Sequence, residues 1–316
     1  MELIDPKVEL ITETDPFKKI EMAGRTCYKS EKNITDESAV KFYSNLVEHN
    51  HTAMLEHTHF LFEVTDEKLY YKCCSCKYLN CTDIPVTTLH FDYEVTSYRQ
   101  LVSGNLRAIN ECGIIELLET LLKYNKRLVY STEFLKHIEN RSQYDVPNYS
   151  DKIRLVDLSD YENLTQKELL NHKYVTMRFT CDRGVTHEIV RHRPFSFAQE
   201  STRYVNYAKN EMQFIKPADF DNWETDKQEY FMIALSNAEN VYNKMISEYN
   251  APPQEARALL PNAIKTEIVV TGNYEEWEHF FNLRYRGTTG KPHPDMKLIA
   301  EKAYNLLHQI GKTTVS

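Results

Sequence analysis

Eight glycines are spread through 316 residues, and no two of them are separated by a single residue. A doubly wound dinucleotide fold needs closely spaced glycines after its first strand, to tighten the turn and let the backbone approach a pyrophosphate. No such fingerprint exists here. The nearest imitation, Gly287-Thr-Thr-Gly290-Lys291, has the wrong spacing for a phosphate loop and runs into Pro292 where a helix-opening Ser or Thr belongs, so it reads as a turn. Any nucleotide this chain binds must be held by side chains and helix ends.

The composition, 41% hydrophobic and 27% charged, is that of a globular protein with enough apolar residues for a core. Apolar runs such as Ile268-Val269-Val270 fall far short of a membrane span, and the opening Met1-Glu2-Leu3-Ile4-Asp5 lacks a basic leader region. These features predict a cytoplasmic protein with no membrane partner. Seven cysteines, four of them in Cys73-Cys74-Ser-Cys76-Lys-Tyr-Leu-Asn-Cys81, fit reduced thiols better than a disulfide framework. A net charge of −8 argues against general nucleic-acid binding.

Helical spacing of apolar residues predicts helices over 13–28 and 36–49. Alternation predicts strands over 57–64 and 174–180, read as partners in one sheet. Between them, about 65–171 reads as an insertion with a strand at 91–98, a helix at 110–124 and an aperiodic polar stretch over 140–166. The rest is expected to form one catalytic domain over 1–316. A short helix should begin near Asp182 and end before Pro194. Helices are expected over 225–249, from Pro252-Pro253, over 274–283 and over 294–310, with a strand over 263–271. Neither repeats nor low-complexity segments occur.

Against the acidic background, residues 183–203 carry Arg183, Arg191, Arg193 and Arg203 against Glu188 and Glu200, a local charge of +2. Arginine's planar fork matches phosphate and carboxylate and stays charged when partly buried, so the cluster points to a small anion. Arg257 and Arg284, expected on separate helices, would complete such a site. Three other constellations compete. His51, Glu56, His57 and His59 could bind a metal, with His57 and His59 on one strand face. The four crowded cysteines could hold zinc or act in redox chemistry, although no paired CxxC spacing occurs; exposed thiols on a loop are the plainer reading. Ser201 could be a nucleophile activated by His187 or His192, but it lacks a nucleophile elbow and is flanked by arginines, which suits a hydrogen-bond donor better.

The run Asp182-Arg-Gly-Val-Thr-His-Glu-Ile-Val-Arg191-His192-Arg193, then seven residues, then Ser201-Thr202-Arg203-Tyr204, resembles the signature of flavin-dependent thymidylate synthases. Supporting segments are Gly24-Arg-Thr-Cys-Tyr28, His51-Thr-Ala-Met-Leu-Glu-His57, Pro253-Gln-Glu-Ala-Arg257-Ala-Leu-Leu-Pro261, Gly272-Asn273 through His279 to Arg284, and His293-Pro294. The resemblance covers nearly the whole chain outside the insertion. It implies an α+β fold with a mostly antiparallel sheet flanked by helices, and a homotetramer with sites built between subunits.

The implied reaction is reductive methylation of dUMP to dTMP, with methylenetetrahydrofolate as carbon donor and FAD, reduced by NADPH, as hydride source. Carried onto this sequence, the resemblance implies FAD contacts at Ala53, Arg191, His192, Arg193, Gln199, Asn273, Glu275 and His279. It implies dUMP contacts at Glu188, Arg191, Gln199, Glu200, Ser201, Thr202, Arg203, Arg257 and Arg284. Arg284 matches the arginine that activates the pyrimidine, and no metal is implied. The chain departs from the common pattern at Ala53 for threonine, Ala198 for asparagine or serine, Gln199 for glutamate and Glu275 for arginine. Within the insertion, Ser103-Gly104-Asn105-Leu-Arg107-Ala108 either lines the site or caps the sheet.

Overall fold

The computed structural model describes residues 1–90, 93–139, 152–157, 164–209 and 211–313. The described elements run β1 (Glu2–Ile4), β2 (Lys7–Ile11), α1 (Pro16–Tyr28), α2 (Ser38–Glu48), β3 (His59–Val64), α3 (Glu67–Cys74), β4 (Asn80–His90) and β5 (Tyr93–Asn105). Next come α4 (Leu106–Glu111), α5 (Ile115–Tyr124), α6 (Thr132–Glu139), β6 (Ile153–Leu155), α7 (Gln166–His172), β7 (Tyr174–Asp182), α8 (Arg183–Ile189) and β8 (Ser196–Gln199). The chain continues with β9 (Gln213–Ile215), α9 (Thr225–Ser247), α10 (Pro253–Ala256), β10 (Lys265–Asn273), α11 (Tyr274–Phe281) and α12 (Pro294–Thr313). The class is α+β, as expected. Two four-stranded sheets, ordered β2-β7-β10-β8 and β4-β5-β3-β6, stand with a parallel β1-β9 pair.

The chain forms two compact units, Met1–Lys41 with Val175–Gly272 and Glu276–Ser316, and Phe42–Tyr174 with Asn273–Glu275. The expected pairing of 57–64 with 174–180 does not form: β3 and β7 lie in different sheets. Alternation sets which face of a strand is buried and leaves its neighbour open. β3 pairs antiparallel with β5 from His59↔Asn105, and β7 pairs antiparallel with β2 from Thr180↔Lys7.

In the first unit, α1 starts where Asp15 accepts from the Phe17 and Lys18 amides, with Pro16 in the first turn. It buries Phe17, Ile20 and Ala23 and ends at Lys29, whose φ of 50° is left-handed. α12 packs against β2, and Lys302 Nζ donates to Pro6 O at 3.1 Å. The aromatic core comprises Phe179, Phe195, Trp277, Phe280 and Phe281, and Trp277 Nε1 donates to Val175 O at 3.2 Å. Full burial of each such ring contributes about 2 kcal/mol. Gly272 makes room for it, since a Cβ there would lie 2.2 Å from the Phe195 ring.

The second unit has its own core, including Leu61, Leu101, Leu106, Ile109, Leu117 and Leu121. β4 and β5 pair from Asn80↔Ser103 to His90↔Tyr93. The segment Ser103 to Ala108 is committed to this unit's structure. Ser103 Oγ bonds His172 Nδ1 at 2.8 Å, Asn105 caps α4 by accepting from the Ala108 amide, and Arg107 pairs with Glu56 and Glu111. His57 ends a 3-10 turn at Thr52–His57 and His59 opens β3, so the two do not share a strand face. Cys73 is fully buried at the end of α3, not on an exposed loop, and the cysteines are free thiols. Most of the aperiodic stretch over 140–166 lies outside the described residues.

Candidate functional site

Asp182 starts α8 by accepting from the Val185 amide at 2.8 Å, and the helix ends five residues before Pro194. His192 therefore falls in the turn that leaves the helix. The four residues 196–199, which their sequence does not distinguish from loop, form β8 against β10, with Ser196 opposite Thr271 and Gln199 opposite Ile268. Ser196 and Ala198 are the buried pair of that alternation. Gln199 Nε2 then donates to Thr186 Oγ1 at 2.9 Å, tying the end of β8 back to α8.

Ninety-two residues on in the chain, Arg284 meets this turn. Its Nε donates to His192 Nε2 at 2.9 Å and its Nη1 donates to Glu188 Oε2 at 2.7 Å. The arginine stands in a single π-helical turn, Asn282–Arg286, that continues α11 and stops at Gly287 with φ 70°. Such turns widen the helix and often mark functional positions. The expected helix over 274–283 thus ends as an α-helix at Phe281.

His192 is 8% exposed, its ring against Phe195, Phe280 and His279. Burial, then the nearby Arg284 and His279, push its pKa down to about 4. It is neutral at pH 7, with Nε2 free to accept from Arg284. A charged imidazole could not accept there.

The other arginines are arranged differently. Arg191, Arg193, Arg203 and Arg257 are exposed, and none of them has an acidic partner among the described residues. Arg203 Nε donates weakly to Gln254 Oε1 at 3.4 Å, close in sequence to Arg257. Arg257 opens a 3-10 turn, Arg257–Leu259, rather than lying within a helix. Ser201 Oγ accepts from the Arg203 amide at 3.3 Å, and Thr202 is buried. Glu200 is also buried, with its carboxylate turned inward. Beside Glu188, a cavity of about 330 Å³ is lined by Asp182, Val185, Phe231, His293 and Asp295. Its carboxylates make it unsuited to an anion.

Three expected FAD contacts belong to the second unit. Ala53 is exposed on the 3-10 turn, Asn273 is buried and donates to Asn171 O at 3.3 Å, and Glu275 is exposed in the first turn of α11. His279, in the first unit, is exposed. Among the described residues no three or more His, Cys, Asp or Glu side chains are grouped to hold a metal. No helix among them is long and apolar enough to cross a membrane.

The family model for thymidylate synthase complementing protein matches residues 9–67 and 119–310. Proteins named flavin-dependent thymidylate synthase are similar over shorter stretches. That of Corynebacterium efficiens is 33% identical over 181 residues, covering 52% of this chain and 67% of that protein. Those of Corynebacterium glutamicum and Corynebacterium diphtheriae are 31% and 29% identical, covering 54% and 63% of this chain and 68% and 78% of theirs. A solved UMP/dUMP methylase from Streptomyces cacaoi covers 98% of this chain and 93% of its own at 14% identity, but its TM-score of 0.41 adds nothing to the assignment. The family match leaves out 68–118 and includes all of the Arg-His-Arg turn and Arg284. The chain belongs to the thymidylate synthase complementing protein family.

Proposed function

We propose that this protein is a flavin-dependent thymidylate synthase that converts dUMP to dTMP. In the balanced reaction, dUMP, methylenetetrahydrofolate, NADPH and a proton yield dTMP, tetrahydrofolate and NADP⁺. The observation that carries this reading is the uneven pairing of the arginines. Arg284 is fixed by Glu188 and His192, while Arg191, Arg193, Arg203 and Arg257 are exposed with no acidic partner among the described residues. Exposed guanidiniums with no acidic partner among the described residues, together with one oriented guanidinium, suit a ligand with a phosphate and a planar polar ring.

Arg191 and Arg193 flank a buried neutral imidazole and have no acidic partner among the described residues, which fits the pyrophosphate of FAD. With His192 and Arg193, and with Ala53, Gln199, Asn273, Glu275 and His279, Arg191 forms the set assigned to the flavin. FAD, when bound, carries the hydride supplied by NADPH. Gln199, Ser201, Thr202, Arg203 and Arg257, with Glu188 and Arg191, are assigned to dUMP. Ser201 acts as a hydrogen-bond donor to phosphate, not as a nucleophile, because no base is bonded to its Oγ among the described residues.

The uracil ring becomes nucleophilic at C5 when negative charge on N3 and its two carbonyls is favoured. A guanidinium whose orientation is already fixed stabilises that charge without reorganising during the reaction. Neutral His192 and anionic Glu188 provide that orientation for Arg284. The site is assigned to a homotetramer, completed between subunits, in the cytoplasm. Purified protein should carry FAD, and dUMP should perturb the flavin spectrum. Colourless protein that cannot be loaded with FAD would contradict the proposal.

A further inference from the structure

Glu200 sits between Gln199 and Ser201, in the segment assigned to dUMP, yet its side chain is only 1% exposed. Its amide donates to Glu267 O at 2.8 Å. Glu200 Oε1 accepts from Tyr207 OH at 2.7 Å, and Oε2 lies 3.2 Å from Lys265 Nζ and 3.7 Å from Lys29 Nζ. Lys265 and Glu267 are two residues apart on β10 and so share a face. Glu267 Oε1 is 2.7 Å from Lys265 Nζ and also pairs with Lys29. Glu31 reaches Lys29 from outside at 3.9 Å.

Glu200, Glu267, Lys29 and Lys265 make a quartet with no net charge. Burial pushes the Glu267 carboxyl up, but Lys265 and Lys29 outweigh it and bring it down to about 2. Burial likewise pulls Lys265 down, and Glu200 and Glu267 more than reverse this. Tyr207 is pushed up by burial and by Glu200, so it remains a donor.

Two further contacts join the same segment to the end of α1. The Ser201 amide donates to Cys27 O at 2.9 Å, and the Tyr204 ring lies 5.3 Å from the Tyr28 ring. Lys29 itself adopts a left-handed conformation, unfavourable for a non-glycine residue, while delivering its ammonium to the quartet. The end of α1 and β10 therefore grip the segment through Glu200, and Ser201 to Arg203 follow directly.

We propose that Glu200 is a positioning residue, the charged anchor that holds Ser201, Thr202 and Arg203 in place, and not a contact of the nucleotide. The effect on dUMP rests on the function proposed above. Removing the Glu200 charge leaves the buried Lys265 ammonium and the half-buried Lys29 ammonium sharing Glu267, with Glu31 reaching only Lys29, which is costly because the buried charge loses a partner. The segment relaxes to let water in, and the residues it carries lose their fixed geometry. The flavin set at Arg191 to Arg193 is not gripped by the quartet.

The test uses FAD-loaded full-length protein, compared as wild type, Glu200→Gln and Tyr207→Phe. dUMP is titrated by the change in the flavin spectrum, and hydrogen exchange is followed over 196–207. Glu200→Gln should retain FAD, weaken dUMP binding about tenfold or more and speed exchange over 200–204. Tyr207→Phe, which keeps the quartet charged and should fold if Glu200→Gln does not, should weaken dUMP binding about threefold with a smaller change in exchange. Unchanged dUMP affinity with a lowered Tm would make Glu200 merely structural and overturn the proposal. So would unchanged exchange over 200–204. If wild type carries FAD but does not respond to dUMP, the functional reading has failed, and the anchor is decided by exchange alone.

Discussion

His172, in the second unit, and His192, in the first, are both buried and both pushed down to about 4, but for different reasons. His172 is fully buried, and burial is the cause of its shift. Both its ring nitrogens are occupied by neutral hydroxyls, Ser103 Oγ at 2.8 Å and Thr82 Oγ1 at 2.9 Å. His192 is held down by burial together with the nearby Arg284 and His279, and its Nε2 accepts from a guanidinium. The first arrangement is closed and joins β4, β5 and α7. The second uses a neutral ring to orient a charge. Here the depressed histidine that faces a charged group is the one in the candidate site.

The largest expected effect comes from breaking the second arrangement. Arg284→Lys cannot donate from both Nε and Nη1, and an ammonium cannot lie flat against two acceptors. Turnover of dUMP should fall by about a hundredfold or more while FAD is retained. In an NMR pH titration, Arg284→Gln, which removes the charge, should raise the pKa of His192 and leave that of His172 unchanged. Near-normal turnover would remove Arg284 from its assigned role, and equal movement of both resonances would erase the distinction.

Acid should affect both histidines. Each has a folded pKa near 4 and an ordinary unfolded value near 6.5, so as pH falls the unfolded chain takes up protons first. Stability is fully present above about pH 6.5 and is lost progressively toward pH 4, by roughly 3 kcal/mol per histidine. Urea unfolding across that range would measure the slope. Flat stability between those limits would mean that the rings are not buried as described. The smallest effect sharpens the contrast from the other side. Thr82→Val takes one hydroxyl from His172 and should cost about 1 kcal/mol in urea unfolding, with turnover as in wild type.

Local features were readable in the residues themselves. Apolar spacing over 13–28 locates α1, although the Asp15 cap sets its start at Pro16, and Asp182 and Pro194 bracket α8, because caps and proline act over one turn. Strand partners were not, since β3 and β7 alternate alike but bury their faces in separate sheets. The Arg-His-Arg turn is contiguous and could be found by its spacing. Its contact with Arg284, and with it the orientation of the guanidinium, depends on chain packing across more than ninety residues. The Glu200 quartet went unrecognised for a related reason. Lys265 and Glu267, opposite charges on one face of an otherwise apolar strand, were a signal that something charged lies opposite, but not which residue.

Arg284, held by Glu188 and His192, is proposed to serve chemistry at C5 of dUMP. Tritium release from dUMP labelled at C5 tests it most directly, using FAD-loaded protein with NADPH and methylenetetrahydrofolate. Tritium should be released with formation of dTMP when both co-substrates are present, and both signals should be lost in Arg284→Lys. Oxidation of NADPH with neither tritium release nor dTMP would contradict it.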